Sequence, residues 1–211
     1  MRFRTPRLKA ALWAATLALC AAQAGATPEP DPPSPAALRL ARQVLASADT
    51  GGRPFAVIDK QAATLTIFNA DGRLAGTTPV LLGRAMGDQA VPGVGARTQS
   101  GQLHPGDQVT TAGRFDSQPG HNLAGESVVW IDYDSALAIH RLRSGASHDD
   151  RAQRLAMADP RARRVSAGCV VVPVAFYENV VAPLLGRGRG VVYVMAEDGV
   201  PLNLPRAASG S

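Results

Sequence analysis

Phe55-Ala56-Val57-Ile58, then Thr64-Leu65-Thr66-Ile67-Phe68, then Asn69-Ala70-Asp71-Gly72 set a hydrophobic period of two in this chain. A short apolar run, an alternating run and an Asn/Asp/Gly turn signal are what paired β-strands require. Residues 74–82 supply a third strand and extend the pair to a meander. Upstream the period is different. Ser34-Pro35 reads as an N-cap followed by the first helical position. Leu38, Ala41, Val44, Leu45 and Ala48 recur at helical spacing, so a short amphipathic helix is expected over about residues 35–48, ending before Gly51-Gly52. Downstream, residues 127–132 read as a strand, 133–135 as a turn and 136–140 as a second strand. Val170-Val171-Val172 is a short β-prone run. Pro173 opens a helix with Phe176, Tyr177, Val180, Val181 and Leu184 on one side, and residues 191–195 form a closing strand. Residues 83–110 are Gly-rich and polar and give no assignment. From Leu202 onward the chain reads as a loose tail.

The N-terminus reads as an export signal. Arg2, Arg4, Arg7 and Lys9 carry charge without a nearby acid, an apolar run spans residues 10–22, and Ala24-Gly25-Ala26 is a small-x-small cleavage site. The run is shorter than the roughly 20 apolar residues of a permanent span. The whole chain has 22 Lys+Arg against 17 Asp+Glu, a net of +5. Removing the four basic residues of the signal leaves 18 against 17, or +1, so the basic character belongs mostly to targeting. A nucleic-acid partner, which would call for a strongly basic domain, is not expected. The organisation read from this is a signal peptide over 1–26, a Pro-rich linker and helix over 27–53, one domain over 54–198 and a tail over 199–211. Five prolines between Thr27 and Pro35 make the linker. The mature protein is expected in the periplasm, as a monomer without a stable membrane span.

Cleavage leaves Cys169 as the sole cysteine. An unpaired cysteine in an exported protein is either an intermolecular link or a reactive thiol. It follows Arg164-Val165-Ser166-Ala167-Gly168, where small residues allow close backbone approach. It also precedes the helix start at Pro173, whose dipole would favour thiolate. A thiol nucleophile needs a base within reach. His140, ending the strand Ala138-Ile139-His140, is the candidate. Taken singly, Cys169 reads equally well as a small core residue and His140 as a hydrogen-bonded structural histidine. Together in a one-cysteine exported chain they favour chemistry.

These residues carry a resemblance to the L,D-transpeptidase catalytic domains of the YkuD type. Such domains have a strand ending in His, a loop, and then Ser/Thr-His-Gly-Cys. Here the order is Ile139-His140, a loop, and Ser166-Ala167-Gly168-Cys169-Val170. Thr110-Thr111-Ala112-Gly113-Arg114-Phe115 is similar to the family's Thr-x-x-Gly-x-Phe element. The resemblance spans about residues 54–196. It implies a mainly β, β-rich α+β fold: a mixed-sheet sandwich with a few short peripheral helices. It also implies a transferase acting on peptidoglycan stem peptides, without a cofactor. Cys169 would be the nucleophile and His140 its base. Gly168 and Cys169 would give backbone N–H groups to the oxyanion, and Ser166 would shape the turn. Ala167 stands where the family has His, Val171 where it has Asn or Arg, and the 26-residue separation of His140 and Ser166 is long for the family. The pocket is therefore expected to diverge, with a periplasmic L,D-carboxypeptidase or other cysteine peptidase or amidase as one alternative. A catalytically inactive wall-binding protein is another.

Residues 141–165 hold seven arginines (Arg141, Arg143, Arg151, Arg154, Arg161, Arg163 and Arg164) against three aspartates, a net of +4 beside the nucleophile. Arginine suits carboxylates, so Arg141 and Arg164, which bracket the segment, are candidate substrate-shaping residues. The competing reading is a solvated helical face over about residues 149–157. His104, His121 and His148 lack zinc spacing, and no metal site is expected. Trp130 is expected in the core.

Overall fold

The computed structural model describes residues 32–199. The expected signal peptide, most of the Pro-rich linker and the expected tail beyond Gly199 lie outside the described residues. Helix α1 (Pro35–Ser47) begins as its sequence dictates. The Ser34 hydroxyl accepts the Ala37 N–H at 3.0 Å, and Pro35 occupies the first turn. The helix ends on Ala48 in the left-handed region. Its buried face, Ala37, Leu40, Ala41 and Val44, packs on Phe55, Val57, Phe68, Val191 and Tyr193. The helix therefore belongs to the folded unit, and the linker ends before it.

Ten strands follow: β1 (Phe55–Asp59), β2 (Thr64–Phe68), β3 (Leu74–Pro79), β4 (Leu82–Gly83), β5 (Gly113–His121), β6 (Ser127–Asp132), β7 (Leu137–Arg141), β8 (Arg164–Ser166), β9 (Val170–Val172) and β10 (Gly190–Val194). Eight make one mixed sheet in the order β3-β2-β1-β10-β5-β6-β7-β9, and β4 pairs with β8. The meander over β1, β2 and β3 is present, with β1 also parallel to β10. The expected strand over 74–82 is broken after Pro79, which has no N–H to continue a ladder. β5 pairs through its first half with β10 and through its second with β6. Residues from both halves of the sheet, among them Ile58, Leu65, Val129, Ile139 and Val192, share one core with Tyr177, Val181 and Leu185. The architecture is thus a mixed-sheet, strand-rich fold with a few short helices.

The other helices are brief. α2 (Val94–Ser100) and a 3₁₀ turn at Pro105–Asp107 occupy the stretch that gave no assignment. α3 (His148–Ala156) agrees with the helical face expected near 149–157. α4 (Val174–Phe176) passes through a π turn (Tyr177–Val181) into α5 (Ala182–Leu184). Pro183 has no N–H to give, and the turn before it widens, the Ala182 N–H reaching back to the Tyr177 carbonyl. Among the described residues no helix is long and apolar enough to cross a membrane.

Candidate active site

β7 and β9 are parallel neighbours, with Ile139 opposite Val170, His140 opposite Val171 and Arg141 opposite Val172. Side chains alternate along a strand. Ile139, Val170 and Val172 therefore enter the main core, and His140 and Val171 take the other face. Cys169 lies in the turn just before β9, where the Ala138 backbone of β7 hydrogen-bonds to its thiol. His140 is 8% exposed, and Cys169 is half-buried. The cysteine thiol donates to the Ala136 carbonyl at 3.4 Å.

The imidazole is oriented by the backbone of its own strand. His140 Nδ1 lies 2.8 Å from the Arg141 carbonyl oxygen. A carbonyl only accepts, so Nδ1 carries the hydrogen and Nε2 keeps a free lone pair. Burial pulls the His140 pKa down to about 4; the Arg141 carbonyl opposes this, the charges of Arg143 and Arg151 assist it, and Glu126 opposes it. Burial pushes the Cys169 thiol up, against the Ala138 backbone and the charges of Arg143 and Arg151. At neutral pH the Cys169 thiol and the His140 imidazole are both uncharged. The expected help from a helix dipole is not delivered. β9 separates Cys169 from the helical segment, whose first α piece is three residues long.

The turn carrying Cys169 is clamped from two sides. The Ser166 hydroxyl donates to the Cys169 carbonyl at 2.6 Å and accepts the Gly168 N–H at 3.1 Å. Thr110, fully buried, donates from Oγ1 to the Gly168 carbonyl at 2.7 Å and accepts the Gly83 N–H at 2.8 Å. Gly168 has φ +128°, and a Cβ there would stand 3.0 Å from the Val109 carbonyl oxygen, so glycine is required. The Gly168 N–H, expected to face an oxyanion, is committed to Ser166. Ala167 is exposed at the tip. With Gly168, Ala136, Ser135, Ala90 and Val94 it borders a small cavity beside the turn.

The arginines divide by role, and two expectations are corrected. Arg164 does not face the cleft. It makes a bidentate pair with Glu197, at 2.8 and 2.6 Å, and caps the Lys60 carbonyl. Arg141 alternates with His140 along β7, so its side chain leaves by the opposite face, and its charge bears on Tyr177 and Glu126. Its contribution to the site is the carbonyl that holds the imidazole. Arg163 is buried and donates to the carbonyls of Met157, Ala62 and Ala63. Arg154 pairs with Asp150 and Arg143 with Glu126 at 2.6 Å. The Arg151 side chain makes no hydrogen bond or ion pair among the described residues. The segment that carries these residues covers the site face, because Leu155 of α3 packs with Leu81, Leu142 and Val171.

Sequence reasoning missed Thr110 as a brace, although it opens the Thr-x-x-Gly-x-Phe-like element. It also missed the distinction among the arginines, which only their partners reveal. Among the described residues no group of three or more His, Cys, Asp or Glu side chains could hold a metal ion. A larger cavity of about 280 Å³ lies elsewhere, lined by His121, Ser127, Tyr177, Glu178 and Arg187. Tyr177 belongs to the main core, so this cavity adjoins the face of the sheet opposite His140 and takes no part in the site.

No family model matches the chain, and no curated protein matches it. Among solved structures it is similar to an L,D-transpeptidase determined in complex with imipenem, at 16% identity and a TM-score of 0.38, covering 67% of this chain and 58% of that one. It is also similar to the catalytic domain of an E. faecium L,D-transpeptidase determined by NMR, at 18% identity and a TM-score of 0.34, covering 68% of this chain and 98% of that one. The chain thus spans less than two thirds of the first of these. At such identities neither assigns a residue role.

Proposed function

We propose that the protein is a periplasmic cysteine acyltransferase of the L,D-transpeptidase kind, acting on peptidoglycan stem peptides. One observation carries the reading. A neutral imidazole, its Nδ1–H fixed by the Arg141 carbonyl, lies on β7, and Cys169 leads into β9, the parallel neighbour of that strand. The ordered resemblance from the hairpin through Thr110–Phe115 to Ser166–Cys169 supports the substrate class, and the signal-like N-terminus supports export.

The reaction runs as two acyl transfers. His140 Nε2 takes the Cys169 proton as the sulfur attacks the carbonyl that precedes a terminal D-Ala. The Cys169 N–H stabilises the oxyanion. The C–N bond then breaks, His140 returns its proton to the departing amine, and a thioester remains. An acceptor amine attacks the thioester, His140 takes its proton, and the thiol is restored. Because the thiol and the imidazole are both neutral at rest, proton removal accompanies attack.

The test is intact-protein mass spectrometry after mixing with a tetrapeptide stem. The expected result is release of D-Ala and an acylated wild type, with Cys169→Ala unmodified. An amine acceptor should then yield a cross-linked or exchanged product. Tripeptide without any such product would make the protein a hydrolase, and absence of acylation would remove the enzymatic reading.

A further inference from the structure

We infer that Arg151 is the carboxylate-binding residue of this site, holding the terminal carboxylate of the donor peptide one residue beyond the scissile carbonyl. The inference rests on the acyl-transfer reading above for its substrate.

The geometry comes from α3. Leu155 and Ala152 seat this helix on Leu142 and Val171, and Val171 is the register partner of His140. Arg151 precedes Leu155 by one helical turn, so it stands on the same side of α3, above the strand pair that carries His140 and that Cys169 leads into. Its charge bears on both of those residues. Of the other arginines of residues 141–165, Arg161 is exposed and has no charge effect on either residue, and the rest are engaged or turned away. Arg143 is paired with Glu126, Arg154 with Asp150 and Arg164 with Glu197. Arg163 is spent on backbone carbonyls. Arg141 leaves by the far side of the sheet. Arg151 is half-buried and has no counter-charge among the described residues.

A guanidinium without a partner beside a nucleophile suits one ligand feature above others, a carboxylate that accepts two parallel N–H bonds. A peptide that loses a single C-terminal residue carries such a group within a few bonds of the attacked carbon. Gripping it would fix the carbonyl at the sulfur. It would also make a free C-terminus a condition of binding, which confines cleavage to the last residue.

The test measures affinity, so that it does not depend on turnover. In the full chain carrying Cys169→Ala, the dissociation constants of a tetrapeptide stem and of its C-terminal carboxamide are compared by calorimetry, with and without Arg151→Gln. The acid should bind about 10- to 100-fold more tightly than the amide, and Arg151→Gln should erase that preference by weakening the acid alone. Arg151→Lys should restore part of it. Equal affinity for acid and amide, loss of both ligands in Arg151→Gln, or no binding of either ligand would overturn the assignment. The acyl-transfer reading is scored separately, by D-Ala release from the wild type. That reading survives if the preference is absent, and fails if D-Ala is never released even where the preference is found.

Discussion

Thr110 and Gly168, 58 residues apart in sequence, are joined by a 2.7 Å hydrogen bond from the threonine hydroxyl to the glycine carbonyl. The same oxygen accepts the Gly83 N–H. One buried hydroxyl thus ties the Cys169 turn to β4. Thr110→Val keeps the shape and deletes both bonds, leaving a buried donor and a buried acceptor without partners. The expected cost is about 1–3 kcal/mol of stability. Acylation of Cys169 should fall more steeply than stability alone accounts for. Urea unfolding and acylation rates measured on the same samples check this, and a variant with full activity would show that the brace does not position the turn.

The buried imidazole makes the fold sensitive to acid. The His140 pKa is about 4 in the folded protein and about 6.5 in an unfolded chain. Between these values the unfolded state binds the extra proton. The stability contributed by a neutral His140 is complete above pH 6.5 and is lost as the pH falls towards 4, by about 3 kcal/mol. Carboxylates contribute their own acid lability in every variant. His140→Gln should therefore lose less stability than the wild type between pH 7 and pH 4.5. Parallel denaturation curves at the two pH values measure the difference, and identical losses would refute it.

Catalysis should share that limit. The acid limb of kcat/KM reports the free base, so it should lie near pH 4, well below an ordinary histidine. A midpoint near 6.5 would mean that the imidazole is solvated.

The raised thiol predicts slow alkylation. At neutral pH iodoacetamide should modify Cys169 several-fold more slowly than a free cysteine, with the rate climbing into the alkaline range. Arg143 lowers the thiol, so Arg143→Gln should slow the reaction further. Peptide mapping of the alkylated protein gives both rates. Rapid modification at pH 7 would require a thiolate that this site does not hold.

Arg164 and Glu197 test the corrected placement. Their pair joins β8 to the chain just after β10, and Glu197 is also 3.4 Å from buried Lys60. Glu197→Gln should lower the melting temperature while leaving the affinity for a tetrapeptide stem unchanged. Weaker binding without lost stability would return Arg164 to the cleft.

The elements that sequence reading located share one property: their burial is periodic. β2, β6 and β9 carry apolar residues where the pattern demands them, and α1 adds a Ser34 cap and Pro35. β5 was invisible for the opposite reason. Of its nine residues only Ser117 is buried, and Gly113, Pro119 and Gly120 argue against a strand. Its position comes from partners on both flanks, which no local pattern encodes. The site divides the same way. Cys169 and His140 stand out in the sequence because their residue types are rare in such a chain. Arg141 and Arg164 were misplaced because seven arginines in one segment look alike until alternation along β7 and the carboxylate of Glu197 separate them.

A parallel pair cannot be closed by a tight turn. His140 stands on one strand of such a pair and Cys169 leads directly into the other, so the chain must leave the sheet after His140 and come back before Cys169. That excursion is obligatory, yet its contents are free. Whatever sequence makes the return trip becomes the roof over the reacting atoms. Substrate preference can then be rewritten by exchanging the roof, with both reacting residues left in register on the strands beneath.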